Sequence, residues 1–238
     1  MEKPDTGESW WSRLFGGGTS TSTPPPILSP DQGKGTSGTS QGKESDSTRL
    51  TTTYDENQAN MLKQLQESYK YKSFIEEAAQ KYNFQPSIIC GVGSRESHWG
   101  LALKPVGPGG RGDFSRRRPR GERRTPEPPD GPGYGRGLLQ IDYDWHEFAR
   151  SGKWYSPREN IFYGCLVLDQ ARQFFKQQGL NVGKEMMLRA IVAAYNCGAT
   201  ATLRALEAGK DVDANTTGAD YSKDVFSRGG WFQLHGWR

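Results

Sequence analysis

The chain has few of the residues that build metal and disulfide sites. Its 238 residues include only three cysteines and three histidines, and none of them forms a CxxC or HExxH pattern. The cysteines, Cys90, Cys165 and Cys197, lie within apolar segments, which is typical of buried free thiols. We therefore expect no metal site and no cofactor.

Long hydrophobic runs are also missing. No stretch reaches the roughly 20 apolar residues that a membrane-spanning helix needs. The apolar cluster at 10–15, WWSRLF, is far shorter than the roughly 7 to 15 apolar residues in the core of a secretory signal. We expect no membrane span and see no signal peptide, and we interpret the cluster as an ordinary apolar spot or a short anchor for a partner or a membrane surface.

The first 50 residues contain little that can form a core. Twenty-nine of them are Gly, Ser, Thr or Pro, so they cannot bury enough apolar surface to offset the entropy lost on ordering. Residues 1–52 are predicted to be a disordered tail. The capping-box spacing at 53–56, TYDE, predicts a helix start and the beginning of an ordered domain at 53–238.

Apolar residues at helical spacing dominate that domain. Pro86 and Pro157 are placed as first residues of helices, and Gly179 is placed to end the second of these. Further helices are predicted over 184–195, 199–208 and 221–234, and a small strand region over about 133–143. The fold class predicted is mainly α (α+β), a helical domain with a small strand region.

Positive charge is concentrated in one segment. Residues 105–136 hold eight arginines and four acidic residues, a net charge of +4, which equals the net charge of the whole chain. The Arg-, Pro- and Gly-rich stretch at 104–136 breaks all periodicity and is predicted to be a long loop. Clustered arginine is the footprint of phosphate binding. However, few aromatics are interleaved and the rest of the chain is electrically neutral, so no nucleic acid is expected as the main partner.

Glu96 stands where a helix is expected to be apolar. If residues 87–96 are helical, then Ile88, Val92 and Glu96 lie four apart on one core-facing stripe. A carboxyl group there loses water, which raises its pKa toward the value that a general acid needs near neutral pH. The alternative is a glutamate near a helix end that is solvated or paired with Arg95.

Five blocks of the sequence resemble the goose-type lysozymes and, more distantly, the soluble lytic transglycosylases. They are SRESHWG at 94–100, YGRGLLQID at 134–142, NIFYG at 160–164, AAYNCGA at 193–199 and DYSKDVFSR at 220–228. The resemblance implies a lysozyme-like fold with the strand region beside a cleft. It also implies that a monomer acts on the cell wall, cutting the β-1,4 bond between N-acetylmuramic acid and N-acetylglucosamine in peptidoglycan glycan strands.

The resemblance also implies roles for single residues. Glu96 matches the general acid, and Asp142 matches a second carboxylate. The long insertion leaves a further aspartate open between Asp130, Asp113 or neither, and spacing to the following block ranks Asp130 first. Residues expected to contact the glycan are Gln140, His146, Tyr195, Asn196 and Tyr221.

Two reactions are compatible with this set of residues. In a hydrolase, an aspartate across the cleft orients or deprotonates a water molecule. In a lytic transglycosylase, the sugar's own 6-hydroxyl attacks, leaves an anhydro end and needs no second carboxylate. A third possibility is a non-catalytic protein that binds glycan, or nucleic acid through the Arg-rich loop. That loop is better explained as a flap over the groove or as a means of attraction to the anionic cell wall.

Overall fold

Helices dominate the computed structural model, which describes residues 49–115 and 127–238. All the described residues belong to one compact unit. The helices are α1 Ala59–Tyr69, α2 Lys72–Tyr82, α3 Pro86–Ser97, α4 Glu147–Ser151, α5 Pro157–Gln177, α6 Lys184–Cys197, α7 Ala199–Glu207 and α8 Tyr221–Leu234. The strands are β1 Arg111–Gly112, β2 Gly135–Arg136 and β3 Ile141–Asp142, and short 3₁₀ turns cover Val212–Asn215 and Thr217–Ala219. The predicted mainly helical fold with a small strand region is confirmed.

Helix α3 runs through the core and packs most extensively against α8. Residues 87–94 are all buried, as expected of a helix that is surrounded on every side. Gly91 permits the close approach of α8, because a Cβ there would collide with the carbonyl oxygen of Val225. A Cβ on Gly93 would collide with the ring of the buried Trp99. Two glycines therefore let α3 reach its neighbours.

Proline and glycine mark helix ends as the sequence predicts. α3 begins at Pro86 and α5 at Pro157, where the missing N–H costs nothing. α5 ends two residues before Gly179, which has a φ of +68°. The capping-box prediction at 53–56 is wrong, because α1 begins only at Ala59 and the Thr53 N–H donates instead to Ser227 Oγ at 2.9 Å.

Residues before 53 already pack against α8. Leu50 is buried, and its N–H donates to Gln233 Oε1 at 2.9 Å. The packed region therefore includes residues that the sequence assigns to the tail. Residues 1–48, with the apolar cluster at 10–15, and the arginine-rich 116–126 lie outside the described residues, so what was predicted for them stays a prediction.

The sheet is antiparallel with the strand order β1-β2-β3. Arg111 pairs with Arg136, and Gly135 pairs with Asp142. β1 and β2 both lie within the segment at 104–136 that was predicted to be a loop, and Lys104 forms an isolated bridge with Arg111. The sheet is connected to α3 because Ser97 Oγ donates to the carbonyl of Leu138 at 2.6 Å.

The described residues contain neither a membrane-spanning helix nor a cluster of metal ligands. Across 49–115 and 127–238, no helix is long and apolar enough to cross a bilayer, and His, Cys, Asp and Glu form no cluster of three that fits a metal ion. Cys90 and Cys165 are buried free thiols. Cys197 is free but only partly buried, since it is the last residue of α6.

Candidate active site

Two packed helices bring Glu96 and Tyr221 together. Glu96 is the penultimate residue of α3, and Tyr221 is the first residue of α8. The Tyr221 hydroxyl donates to Glu96 Oε1, and the Tyr221 side chain is 2% exposed. The carboxyl group therefore sits at the open end of a core helix with a buried phenol against it.

The surroundings of Glu96 raise its pKa to about 7. Burial is the largest cause, because it disfavours the charged form. The hydrogen bond from Tyr221 and the charge of Arg95 lower the pKa, and the negative charge of Asp113 raises it. Glu96 is thus about half protonated at neutral pH, whereas a solvated glutamate would be ionised.

Arg95 pairs with acids of the α8 region. Its Nη1 donates to Asp224 Oδ2 at 2.6 Å and its Nη2 to Asp220 Oδ1 at 3.2 Å. Its guanidinium carbon also lies 5.7 Å from the centroid of the Tyr221 ring. The guanidinium of Arg95 therefore binds Asp224 and Asp220, and not Glu96 as the alternative reading expected. The charge of Arg95 still lowers the pKa of Glu96.

A buried polar network holds Asp224 in turn. Asp224 accepts hydrogen bonds from the Tyr54 hydroxyl at 2.5 Å and from Arg228 Nε at 2.8 Å. Arg228 continues to Ser94 Oγ at 2.9 Å, and Ser94 donates to Gln64 Oε1 at 2.6 Å. No local sequence pattern indicates this network, because its members come from distant segments and only the fold brings them together.

The turn at 136–140, which joins β2 to β3, is fastened by three side chains. Ser97 donates to the carbonyl of Leu138, and the Tyr195 hydroxyl donates to the carbonyl of Leu139 at 2.7 Å. The buried Asn160 accepts from the Leu139 N–H at 2.8 Å and donates to the carbonyl of Arg136 at 3.0 Å. These bonds fix the sheet beside the end of α3.

Two aspartates lie at the exposed ends of the sheet. Asp113 follows β1, is exposed and has a φ of +48°. Its carbonyl accepts the Tyr134 N–H at 3.0 Å, and its charge contributes to the raised pKa of Glu96. Asp142 ends β3, is partly exposed, and its Oδ1 accepts the N–H groups of Asp144 at 2.8 Å and Trp145 at 3.3 Å.

Asp130 has a different environment. Its carboxylate accepts from Arg136 Nη2 at 2.7 Å and lies 3.5 Å from Arg111 Nη2. The Arg136 guanidinium is fully buried and lies 5.0 Å from the Tyr143 ring centroid and 5.3 Å from that of Trp154. A buried guanidinium needs a counter-ion, and Asp130 supplies it at the base of the arginine-rich insertion.

Three residues that were predicted to contact the glycan, Gln140, His146 and Asn196, form hydrogen bonds within the protein. Gln140 donates to the carbonyl of Gly137 at 2.8 Å. His146 is buried with Nδ1 3.2 Å from the Tyr163 hydroxyl, and burial lowers its pKa to about 4. Asn196 is exposed, and its Oδ1 accepts the Thr217 N–H at 2.8 Å. Their assignment as glycan contacts stays a prediction.

Tyr163 is a neighbour of the site that residue-by-residue reasoning did not single out. Its ring stacks on Phe148 with centroids 4.2 Å apart and meets His146 edge-on. Burial raises its pKa to about 12, so its hydroxyl keeps its proton. In the sequence, the only feature that points to Tyr163 is its place in the NIFYG block at 160–164.

Comparison with known proteins assigns the family. The family model Lysozyme g matches residues 35–236. The chain is 31% identical to a lysozyme g of Casuarius casuarius over 173 residues, covering 73% of this chain and 78% of that protein. It is 30% identical to a lysozyme g of Struthio camelus, with 73% and 71% covered, and 29% identical to one of Gallus gallus, with 71% and 66% covered.

The chain therefore belongs to the lysozyme g family. The resemblance read from the five sequence blocks is confirmed. So is the prediction of an enzyme of the lysozyme class.

Proposed function

We propose that this enzyme hydrolyses peptidoglycan at the β-1,4 bond between N-acetylmuramic acid and N-acetylglucosamine, with Glu96 as the general acid. The observation that carries the proposal is a carboxyl group at the end of a core helix whose pKa is raised to about 7. Such a group is still a proton donor at neutral pH and a strong enough acid to protonate a leaving oxygen.

The chemical step needs a proton at the glycosidic oxygen. Glu96 gives up its proton as the bond from the anomeric carbon to that oxygen breaks, and positive charge develops on the sugar ring. The Tyr221 hydroxyl, which donates to Glu96 Oε1, stabilises the carboxylate that remains. That bond strengthens as the negative charge forms.

A second carboxylate supports hydrolysis over the transglycosylase alternative. Asp113 is exposed, and its negative charge acts on Glu96, which supports a role in orienting or deprotonating water. Asp142 is the second candidate for this role. We rank Asp113 above Asp130, the reverse of the order that spacing predicts, because the charge of Asp113 is among those that raise the pKa of Glu96.

Substitution of Glu96 tests the proposal. Glu96→Gln removes the acidic proton while keeping the shape, and clearance of a peptidoglycan suspension is expected to fall by about 10² to 10⁴-fold. Glu76→Gln is the control, since Glu76 is an exposed glutamate of α2 that pairs with Lys72. Equal clearance by wild type and Glu96→Gln would defeat the mechanism and favour a protein that binds glycan without cutting it.

The products separate the two reactions. Mass spectrometry of the released muropeptides is expected to find reducing ends, because water is the proposed acceptor. Anhydro ends would instead establish a lytic transglycosylase. Loss of a DNA mobility shift on neutralising the arginines at 116–124 would favour the nucleic-acid alternative.

A further inference from the structure

The first turn of α8 is capped by a residue that lies outside the helix. The first N–H groups of a helix have no partner within it, and the side chain of Asp220 at the N-cap position accepts none of them. Instead, Asp213 Oδ1 accepts the Ser222 N–H at 2.8 Å, and its Oδ2 accepts the Lys223 N–H at 3.3 Å. A carboxylate is thereby placed at the positive end of the helix dipole.

The N–H of Tyr221 depends on the same segment. It donates to Thr216 Oγ1 at 3.4 Å, and this hydroxyl donates to the carbonyl of Asp213 at 2.9 Å. All three leading amides of α8 are therefore bound by the 3₁₀ turn at Val212–Asn215 and the residue that follows it. The position of the first turn of α8 therefore depends on the position of residues 212–216.

Asp213 is itself fixed in the core. Its side chain is 0% exposed, and it accepts from Arg189 Nη2 at 3.2 Å and from Ser222 Oγ at 2.7 Å. Arg189 belongs to α6, which also carries Tyr195. Freeing this carboxylate would leave a buried unpaired charge, so the arrangement resists displacement.

We infer that Asp213 is a positioning residue for the reaction, which holds the Tyr221 phenol against Glu96 by capping α8. The inference rests on the proposed role of Glu96. Tyr221 is the first residue of the helix and its ring is buried, so a displacement of the first turn moves its hydroxyl. A misplacement of about 1 Å can cost up to roughly 100-fold in rate.

Asp213→Asn tests the inference, because the amide keeps the shape but turns a donor toward the donors of α8. Tyr221→Phe is the reference, since it removes the hydrogen bond to Glu96 directly. The Glu96 pKa is measured in the full chain by the pH dependence of its ¹³C carboxyl shift. The Tyr221 bond lowers that pKa, so both variants are expected to raise it, and the double variant no further than Tyr221→Phe alone.

Asp169→Asn on α5 is the control, because Asp169, like Asp213, pairs with an arginine: Arg172 Nη1 lies 3.4 Å from its carboxylate. It is expected to leave the Glu96 pKa unchanged. A folded Asp213→Asn with the wild-type Glu96 pKa, when Tyr221→Phe shifts it, would overturn the inference. Fully additive shifts in the double variant would also overturn it.

A second variant covers the case in which Asp213→Asn does not fold. Thr216→Val removes the hydroxyl that accepts the Tyr221 N–H and donates to the Asp213 carbonyl, but it keeps the Asp213 carboxylate on Ser222 and Lys223. It is expected to raise the Glu96 pKa by less than Tyr221→Phe does. A folded Thr216→Val with an unshifted pKa would decide against the inference. The titration does not require an active enzyme. If Glu96→Gln were fully active, the proposed function would fail, but the effect of Asp213 on the Glu96 pKa could still be measured.

Discussion

The helical side and the sheet side of the candidate site are built in opposite ways. The helical side is made of Glu96, Tyr195 and Tyr221 among α3, α6 and α8; Tyr221 is buried, and the other two are partly buried. The sheet side carries Asp113 and Asp142 on two-residue strands, and both are partly or fully exposed. Burial keeps a proton on the helical side, whereas exposure keeps carboxylates in contact with water on the other.

The backbone is unusual on both sides. Asp113 and Gln140 on the sheet side both have a φ of +48°, and His98 and Trp99, which follow the end of α3 on the helical side, have φ values of +51° and +55°. Non-glycine residues rarely adopt this conformation, and it occurs where surrounding contacts impose it. The comparison teaches that packing between helices holds the proton donor, Glu96. On the sheet side, side chains of Ser97, Tyr195 and Asn160 hold the turn that precedes Asp142.

After the loss expected of Glu96→Gln, the largest effect on the rate is expected from exchanging carboxylates on the sheet side. Asp113→Asn should lower the rate of peptidoglycan hydrolysis by about 100-fold, because it removes the carboxylate proposed to act on water. Asp130→Asn should leave the rate close to wild type and cost about 3 kcal/mol of stability, since it leaves the buried Arg136 guanidinium without its counter-ion. Turbidity assays and urea unfolding of the two variants measure this.

Asp142→Asn completes that series. A loss for Asp142→Asn as large as that for Asp113→Asn would mean that both carboxylates contact the water. A large loss for Asp130→Asn with an unchanged Asp113→Asn would restore the order that spacing predicts and refute the one proposed from the contacts.

On the helical side, Glu96→Gln should stabilise the protein at high pH. The folded pKa of about 7 lies above the unfolded value of 4.5, so the wild type loses stability as the pH rises from about 4.5 to 7. Each pKa unit corresponds to about 1.4 kcal/mol, and partial exposure reduces the total, so we expect a gain of about 2 kcal/mol at pH 8 and none at pH 4.

Urea unfolding at both pH values checks this expectation, with Glu76→Gln as the exposed control. A gain of equal size at pH 4 and pH 8 would mean that lost charge is not its cause. No gain at pH 8 would mean that the folded protein does not disfavour ionised Glu96.

The rate itself should report the same pKa. Above pH 7, the protonated fraction of Glu96 falls tenfold per pH unit, and so should kcat/KM. Arg95→Gln removes a charge that lowers the Glu96 pKa, so this alkaline limb should move to higher pH. Arg158→Gln is the control, because Arg158 pairs with Glu77 on α2. A limb that stayed in place in Arg95→Gln would argue against Glu96 as the titrating group.

Much of this site was predictable from local sequence, and the rest depended on long-range packing. The stripe of Ile88, Val92 and Glu96 predicted a desolvated carboxyl, and helical spacing with Pro86 located its helix. The capping box at 53–56 misled, because Thr53 binds Ser227 of α8 instead of a following helix turn. Spacing across the insertion says nothing about which aspartate faces Glu96, since the ion pairs of Asp130 form only in the folded chain.

The smallest effect is expected where the two sides are joined. Tyr195 lies on α6 and donates to the carbonyl of Leu139 in the turn at 136–140, so Tyr195→Phe leaves that carbonyl without this donor. We expect a loss of about 1 kcal/mol in unfolding free energy. Tyr69→Phe is the matched control, since the Tyr69 hydroxyl donates to the carbonyl of His235 at 2.9 Å from an exposed side chain. Its loss should be smaller because water replaces the bond, and equal losses in urea unfolding would mean that the Tyr195 bond does not fasten the sheet side to the helices.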